Sequence, residues 1–402
     1  MKNEICLFTT AENLSKVKTI YGDVIAKIIN NFGSFTIVNF VNLNSNKSHC
    51  EINRQLFVEK EYKNIKFFYP KNKSEFNYFI NNKNIFAIDG LGKKIKHFKI
   101  RYLINKKKIK LILIQNLGFF SNEILADKKN SIKEKYFNLK NFFIKKLYRF
   151  FVLIKIFPPI FLYFESRKDI VDNCLRRKKN YLEKLLPFLN ISYFTNIFKI
   201  NSKTHDSFKK NKFKISKDDI IFIDGNYKHE DVIIRENLDI LNIKNKYFEQ
   251  LKIFLEKISE IFNKKVEICL HPSSDFQEYK EHFKNFSISQ YETQKKIFSS
   301  SIVIFHESSS VMDAIYLKKN LIILETDLFG TYFSNRINLY KKELDLFSVE
   351  LGKDFNTPKD KILEHFDRTI YKYNNYINKN LHSDADELGE DKIVRILQNY
   401  FI

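Results

Sequence analysis

The chain has 402 residues, of which 44% are hydrophobic, 29% charged and 15% aromatic, which excludes a disordered chain and allows two domains of about 150–200 residues each. Its formal net charge is +22. Lys, Asn, Ile, Phe and Tyr are over-used and Trp is absent, as codon bias in an AT-rich genome would give; attraction to an anionic surface is the functional alternative. Lys far outnumbers Arg and no zinc-finger spacing or other nucleic-acid module occurs, so nucleic acid is not the expected partner. Cys6, Cys50, Cys174 and Cys269 form no CxxC pair, which suits a reducing compartment. The first residues run directly into an apolar strand with no secretory pattern, and no window of about 20 uncharged apolar residues occurs. The expected location is the cytoplasm.

The predicted elements alternate. Ile5–Phe8 reads as a buried strand ending at Thr9-Thr10, and Tyr21–Phe32 as a helix with apolar Val24, Ile25, Ile28 and Ile29. Strands follow at Thr36–Val41, Ile65–Phe68, Ile85–Ile88 (ending at Asp89-Gly90) and Lys110–Ile114. Residues 141–164 are dense in Phe and Leu and studded with Lys145, Lys146, Arg149 and Lys155, and Pro158-Pro159 ends any helix there. That segment reads either as a core helix followed by a strand or as a basic amphipathic helix on an anionic membrane. After a soft boundary near 205–215, strand Asp219–Ile223 ends at Asp224-Gly225, and Asn245–Phe262 is an amphipathic helix. Strand 266–270 runs into His271-Pro272. Helices near Phe276–Phe283 and Glu292–Phe298 flank a short strand at Phe286–Ile288. Strand 301–305 runs into His306-Glu307-Ser308-Ser309-Ser310, helix Val311–Leu317 follows, and strand Leu321–Leu324 ends at Glu325-Thr326-Asp327. The tail after Phe347 reads as polar and helical. Strands alternating with helices predict an α/β fold of doubly wound parallel sheets. The expected domains are 1–205, 206–345 and a helical tail, 346–402.

The chemistry concentrates where apolar strands stop at polar clusters, because ligands of open parallel sheets bind beyond the carboxyl ends of the strands. Pro272 prevents the strand from continuing, which places His271 at the rim, where an imidazolium neutralises a leaving phosphate. One serine suffices to cap a helix; three in succession, with the N–H groups behind them, suit a phosphate. His306 and Glu307 flank that pocket and are expected to orient the ribose or base. Asp89 and Asp224 each precede glycine at a strand end, a common turn pair and also a place for a general base. Asp384 and Asp386 lie in a polar tail and read as solvated surface. No GxGxxG, GxxxxGK[ST] or HExxH occurs, so no dinucleotide fingerprint, P-loop or zincin site is expected. A site without metal or cofactor is predicted.

Two linked α/β units, a strand–His-Pro element (His271, Pro272) and a strand–Ser-Ser–helix element (Ser308, Ser309, Ser310) resemble glycosyltransferases of the GT-B architecture, with similar elements in bacterial sialyltransferases using CMP-activated sugars. The stretch from Ile220 to Leu351 also resembles proteins of bacterial surface-carbohydrate (capsule or O-antigen) biosynthesis, through Asp224, Tyr227, His229 and Asp231 and a polar loop at Thr326–Tyr332. The sialyltransferase motif has two adjacent acids before glycine, where both Asp-Gly pairs here have isoleucine before the aspartate.

The resemblance implies two Rossmann-like domains facing across a cleft. The C-terminal one would bind the donor through His271, Pro272, His306, Glu307, Ser308–Ser310, Tyr227 and His229. The N-terminal one would bind a glycan or lipid-linked acceptor and supply the base, which favours Asp89 over Asp224; Asp224 then positions the donor. The implied activity is metal-independent sugar transfer from a nucleotide-sugar to a surface glycan, beside the inner face of a cytoplasmic membrane. A nucleotide-sugar epimerase of the same architecture and a non-catalytic binding protein of polysaccharide assembly are the alternatives.

Overall fold

A computed structural model describes residues 2–11, 14–41, 62–81, 83–91, 95–117, 143–144, 146–179, 196–210, 219–225, 239–381 and 386–401. These fall into two compact units, the first holding the described parts of 1–206 together with 386–401, the second holding those of 207–381. Each is a parallel α/β sheet.

In the first unit the strands are β1 (Lys2–Thr9), β2 (Phe35–Asn39), β3 (Ile65–Phe68), β4 (Lys83–Asp89), β5 (Lys110–Gln115), β6 (Ile160–Glu165) and β7 (Asn196–Lys199). Among the described residues their order is β3-β2-β1-β4-β5-β6-β7, every pair parallel. The second unit has β8 (Asp219–Ile223), β9 (Val266–Leu270), β10 (Ser287–Gln290), β11 (Ser300–Phe305), β12 (Asn320–Glu325) and β13 (Phe347–Glu350), ordered β10-β9-β8-β11-β12-β13 and again all parallel. Parallel strands are covered on both faces by crossover helices, so they read as unbroken apolar runs. Phe222, Ile268, Ile304 and Ile322 are fully buried in the middle of the second sheet.

The helices do the covering. Helix Ser15–Phe32 turns Val24, Ile25 and Ile28 inward and stops at Gly33, whose left-handed φ of 81° lets its N–H donate to the Ile29 carbonyl as a C-terminal cap. Helix Ile240–Phe262 aligns Leu251, Leu255 and Ile258 at helical spacing against the second sheet. Each such side chain stabilises the fold by about 1.5–3 kcal/mol.

Three features depart from the sequence expectation. The Thr326–Tyr332 stretch is not all loop, because helix Gly330–Leu344 starts within it. Phe347–Glu350 is a strand; it is a short edge strand with only Val349 buried, so no apolar run marks it. The expected tail also divides. Helix Lys359–Tyr376 packs in the second core through Ile362, Phe366 and Tyr373, whereas helix Gly389–Phe401 belongs to the first unit. Ile393 and Leu397 join Leu7, Phe86 and Leu162 in the first core. Asp206 fixes the start of that last helix by accepting the Gly389 and Glu390 N–H groups at 2.9 and 3.2 Å.

Candidate functional site

Strand order reverses between β8 and β11 in the second sheet, so the two strand ends diverge there and open a crevice. Asp224-Gly225 leaves β8 and His306-Glu307 leaves β11 at this point. The two chains nearly touch: a β-carbon added at Gly225 would lie 2.8 Å from the Glu307 carbonyl oxygen. Glycine is needed there for space. The first sheet repeats the arrangement between β1 and β4, where a β-carbon at Gly90 would lie 2.7 Å from the Phe8 carbonyl oxygen.

Asp224 is buried and organises the loop after β9. It accepts from Ser274 Oγ at 2.5 Å, from the Tyr279 hydroxyl at 2.9 Å and from the His271 backbone N–H at 3.4 Å. Gln290, at the end of β10, holds the same loop from the other side by donating to the His271 and Ser274 carbonyls at 3.1 and 3.0 Å. His271 is thereby set at the mouth of the crevice, half-buried, with Pro272 exposed beside it. Its Nδ1 accepts the Ser273 N–H at 3.2 Å and lies 2.6 Å from Ser273 Oγ. Because an N–H can only donate, the neutral ring carries its proton on Nε2. Asp224 therefore positions His271; with so many donors on its carboxylate it is not placed as a base.

On β11, Glu307 pairs with Arg336 of helix Gly330–Leu344. Buried Tyr340 stands beside them, its hydroxyl pushed well above the usual range by burial and by Glu307. Ser308, Ser309 and Ser310 form the turn into helix Val311–Tyr316, with i+3 bonds from Val311, Met312 and Asp313 to their carbonyls. Ser308 Oγ accepts the Ser310 N–H at 3.2 Å, so one hydroxyl serves the turn, while Ser309 is exposed.

His306 does not join this set. It is 2% exposed, its Nδ1–H donates to the Leu324 carbonyl at 2.9 Å, and its Nε2 accepts from the Tyr247 hydroxyl at 3.0 Å. Phe222, Phe329 and Phe333 surround the ring. The expectation that it orients ribose or base is corrected: both nitrogens are used within the core. Burial lowers its pKa from 6.5 to about 4, against a smaller opposite effect of the Leu324 carbonyl. The unfolded chain therefore takes up a proton near 6.5 and the folded chain only near 4. Stability is full above the higher value and falls as pH drops through that window, by on the order of 3 kcal/mol in all. Urea unfolding near neutral pH and again near pH 4 is expected to show a larger loss for the parent than for His306→Gln; equal losses would remove His306 as the source.

In the first unit Asp89 is also engaged. Arg101 Nη2 lies 2.9 Å from each carboxylate oxygen, and the Leu91 N–H donates at 3.1 Å. Arg101 is 1% exposed and lies 5.0 Å from the Tyr148 ring centroid. A base poised for an acceptor hydroxyl needs a free lone pair at the rim, and Asp89 has instead a buried ion pair. Near the end of β1, Thr10 Oγ1 lies 3.3 Å from Nε2 of buried His97. Tyr227 and His229 lie outside the described residues. No group of three or more His, Cys, Asp or Glu side chains suited to a metal ion occurs among the described residues.

Sequence reasoning missed Ser274, Tyr279, Gln290, Arg336, Arg101 and His97. A partial signal existed for Arg101, an arginine set between Ile100 and Ile104 on an apolar helix face. None existed for the others, whose partners lie on different elements.

Two Rossmann-like parallel-sheet domains in one chain define a fold of the GT-B type. Solved structures share it across the whole chain. A variant of the wall teichoic acid polymerase TagF matches with a TM-score of 0.53 at 11% identity, covering 100% of this chain and 89% of that one. The MnaA–UDP co-structure from S. aureus matches with a TM-score of 0.50 at 10% identity, covering 100% and 97%. A putative UDP-N-acetylglucosamine 2-epimerase from Listeria monocytogenes matches with a TM-score of 0.50 at 11% identity, covering 100% and 97%. No protein-family model matches the sequence, and neither does any curated protein.

Proposed function

We propose that this chain is a glycosyltransferase that moves a sugar from a nucleotide-activated donor, CMP-linked or another pyrimidine nucleotide, to a bacterial surface glycan without a metal. The observation that carries the reading is His271 at the carboxyl end of β9, next to the β8–β11 switch point, its loop held by Asp224 and its neutral ring oriented by Ser273 with the proton on Nε2. Beside it the Glu307–Ser310 turn offers hydroxyl and N–H donors. Polar groups at the carboxyl ends of strands on either side of β8 suit the phosphate of a departing nucleotide. In the step proposed, an acceptor hydroxyl forms the new bond to the anomeric carbon as the bond to the phosphate oxygen breaks. His271 stabilises the charge that appears on that oxygen. The acceptor's proton passes to a base outside this set. Peripheral location on the inner face of a cytoplasmic membrane belongs to the same reading.

Support comes also from the similar structures, among them MnaA in complex with UDP and TagF soaked with CDPG. The test is a thermal-shift screen of the full chain against CMP, CDP, UDP and GDP. A ligand at 100 times its Kd stabilises the native state by about 2.7 kcal/mol, a shift of a few degrees for a chain of this size. Stabilisation by none of them would remove the nucleotide from the reading. Ser308→Ala with Ser309→Ala is then expected to weaken the chosen nucleotide roughly tenfold in calorimetric titration, since hydrogen bonds to charged groups contribute about 1.5–3 kcal/mol. Unchanged affinity would reduce the serines to a turn.

The epimerase-like neighbour motivates a second reading, interconversion of a nucleotide-sugar with no acceptor. Incubating the chain with donor alone separates the two: a new nucleotide-sugar isomer supports epimerisation, and an unchanged donor pool supports transfer.

A further inference from the structure

One face of the first unit takes no part in that chemistry. A helix through residues 146–153 buries Tyr148 and Val152, which form a small core with Phe157 and, from helix Phe98–Lys106, Phe98. Leu147 and Phe150 on its outward side are 42% and 49% exposed, and Phe143 upstream and Ile154 just after the helix are 61% and 44% exposed. Spacings of three and four residues align Leu147, Phe150 and Ile154 in one row, and Phe143 stands four residues before Leu147. Scattered exposed apolar residues need no explanation, but an aligned row of large ones does. Tyr102, 48% exposed, borders the same surface. It shares a helix face with Phe98, which packs on Phe151, and with Asn105, whose amide donates to the Lys155 carbonyl.

The surroundings of the stripe are basic. Lys146 and Arg149 flank it on one side, and exposed Lys155 closes its end with a left-handed φ of 58°. Residues 143–164 contain no Asp or Glu, and the whole chain carries a formal charge of +22. No described helix is long and apolar enough to cross a membrane.

We propose that this stripe rests in the headgroup layer of a bilayer containing anionic phospholipid, with the apolar row inserted and the basic flank against the lipid phosphates. The geometry is that of an interfacial helix, whose affinity combines buried apolar area with attraction to anionic headgroups. A second copy of the chain fits less well, because self-pairing about a two-fold axis would bring two basic flanks together. The inference rests on the peripheral location in that reading and names its surface, while its test needs no sugar donor or acceptor, so failure of one is distinguishable from failure of the other.

The test is sedimentation of the full chain with vesicles of phosphatidylcholine mixed with phosphatidylglycerol, and with vesicles of phosphatidylcholine alone. The chain is expected to pellet with the first and remain in solution with the second, and added salt is expected to release it. Leu147→Ser with Phe150→Ser is expected to reduce the bound fraction about tenfold or more, as is Lys146→Glu with Arg149→Glu, with melting temperatures near that of the parent. Equal pelleting with both vesicle types, or undiminished binding by the Leu147/Phe150 variant, overturns the proposal. So does a lipid-free dimer in analytical ultracentrifugation that the Leu147/Phe150 variant abolishes, since the stripe would then be a self-association surface.

Discussion

Replacing His271 with alanine is expected to lower turnover by roughly 10²–10³ while leaving the melting temperature close to that of the parent. The two halves of this expectation come from different features of the same residue. The ring is half-buried at the mouth of the crevice, and its hydrogen bonds run to Ser273 two residues away. The loop is anchored mainly by Asp224 and Gln290, which grip backbone groups and Ser274, none of them removed with the imidazole. The rate loss reflects one preorganised donor missing where charge develops on the leaving phosphate. His271→Gln is expected to recover part of it, because its amide N–H can replace Nε2–H. Kinetics with a donor identified by the nucleotide screen make the measurement. An alanine variant with parental turnover would remove His271 from the site, and one that fails to fold would make it a structural residue.

Asp89→Ala is expected to destabilise the fold by about 3–5 kcal/mol in urea unfolding, because it leaves the Arg101 guanidinium buried without its counter-charge. The arginine has little else to turn to: Nη2 also donates to the Leu91 carbonyl at 2.5 Å, while Nε and Nη1 have no hydrogen-bond partner among the described residues. Burial by itself would lower the Arg101 pKa, yet Asp89 and Tyr148 outweigh it and the net direction is upward, so the guanidinium stays charged. Removing both charges as Asp89→Leu with Arg101→Met is expected to cost far less than Asp89→Ala, since apolar replacement of a buried pair is often neutral. The alternative role is tested by Asp89→Asn. A variant that folds with parental stability yet loses turnover by a factor of about 10³ would make Asp89 the general base.

Much of the fold was legible because buried parallel strands and turn residues leave strong local marks. Ile220–Ile223, Val266–Leu270 and Leu321–Leu324 are apolar runs cut short by polar clusters, and the cuts fall where the strands end. The short edge strand at Phe347–Glu350 has no such run and went unread. In the site, the two histidines show what the local sequence contains and what it lacks. His271 is followed by proline, which breaks the strand and turns the chain outward; His306 is followed by glutamate, and nothing in that stretch announces that Tyr247 and the Leu324 carbonyl wait for its ring. Asp89 and Asp224 were recognised as strand-end acids, but their roles depend on Arg101, Ser274 and Tyr279, whose convergence is a property of the folded sheet edge. The exposed row on residues 143–154 was visible as composition; only the packing of Tyr148 and Val152 shows which side faces out.

The docking of helix Gly389–Phe401 into the first core gives the chain a particular order of assembly. The first sheet is synthesised early, yet Ile393, Leu397 and Phe401, which cover Phe86 and its neighbours, emerge only after all of β8 to β13. Until then an apolar face of the early domain waits uncovered, and that domain matures only after the later one has left the ribosome. Cutting the polypeptide at the sequence boundary near 206 therefore separates no two independent bodies: the early fragment loses its closing helix together with the Asp206 cap contacts, and the late fragment carries an orphaned amphipathic helix. An early domain excised for separate study would need residues 386–401 grafted back behind a linker.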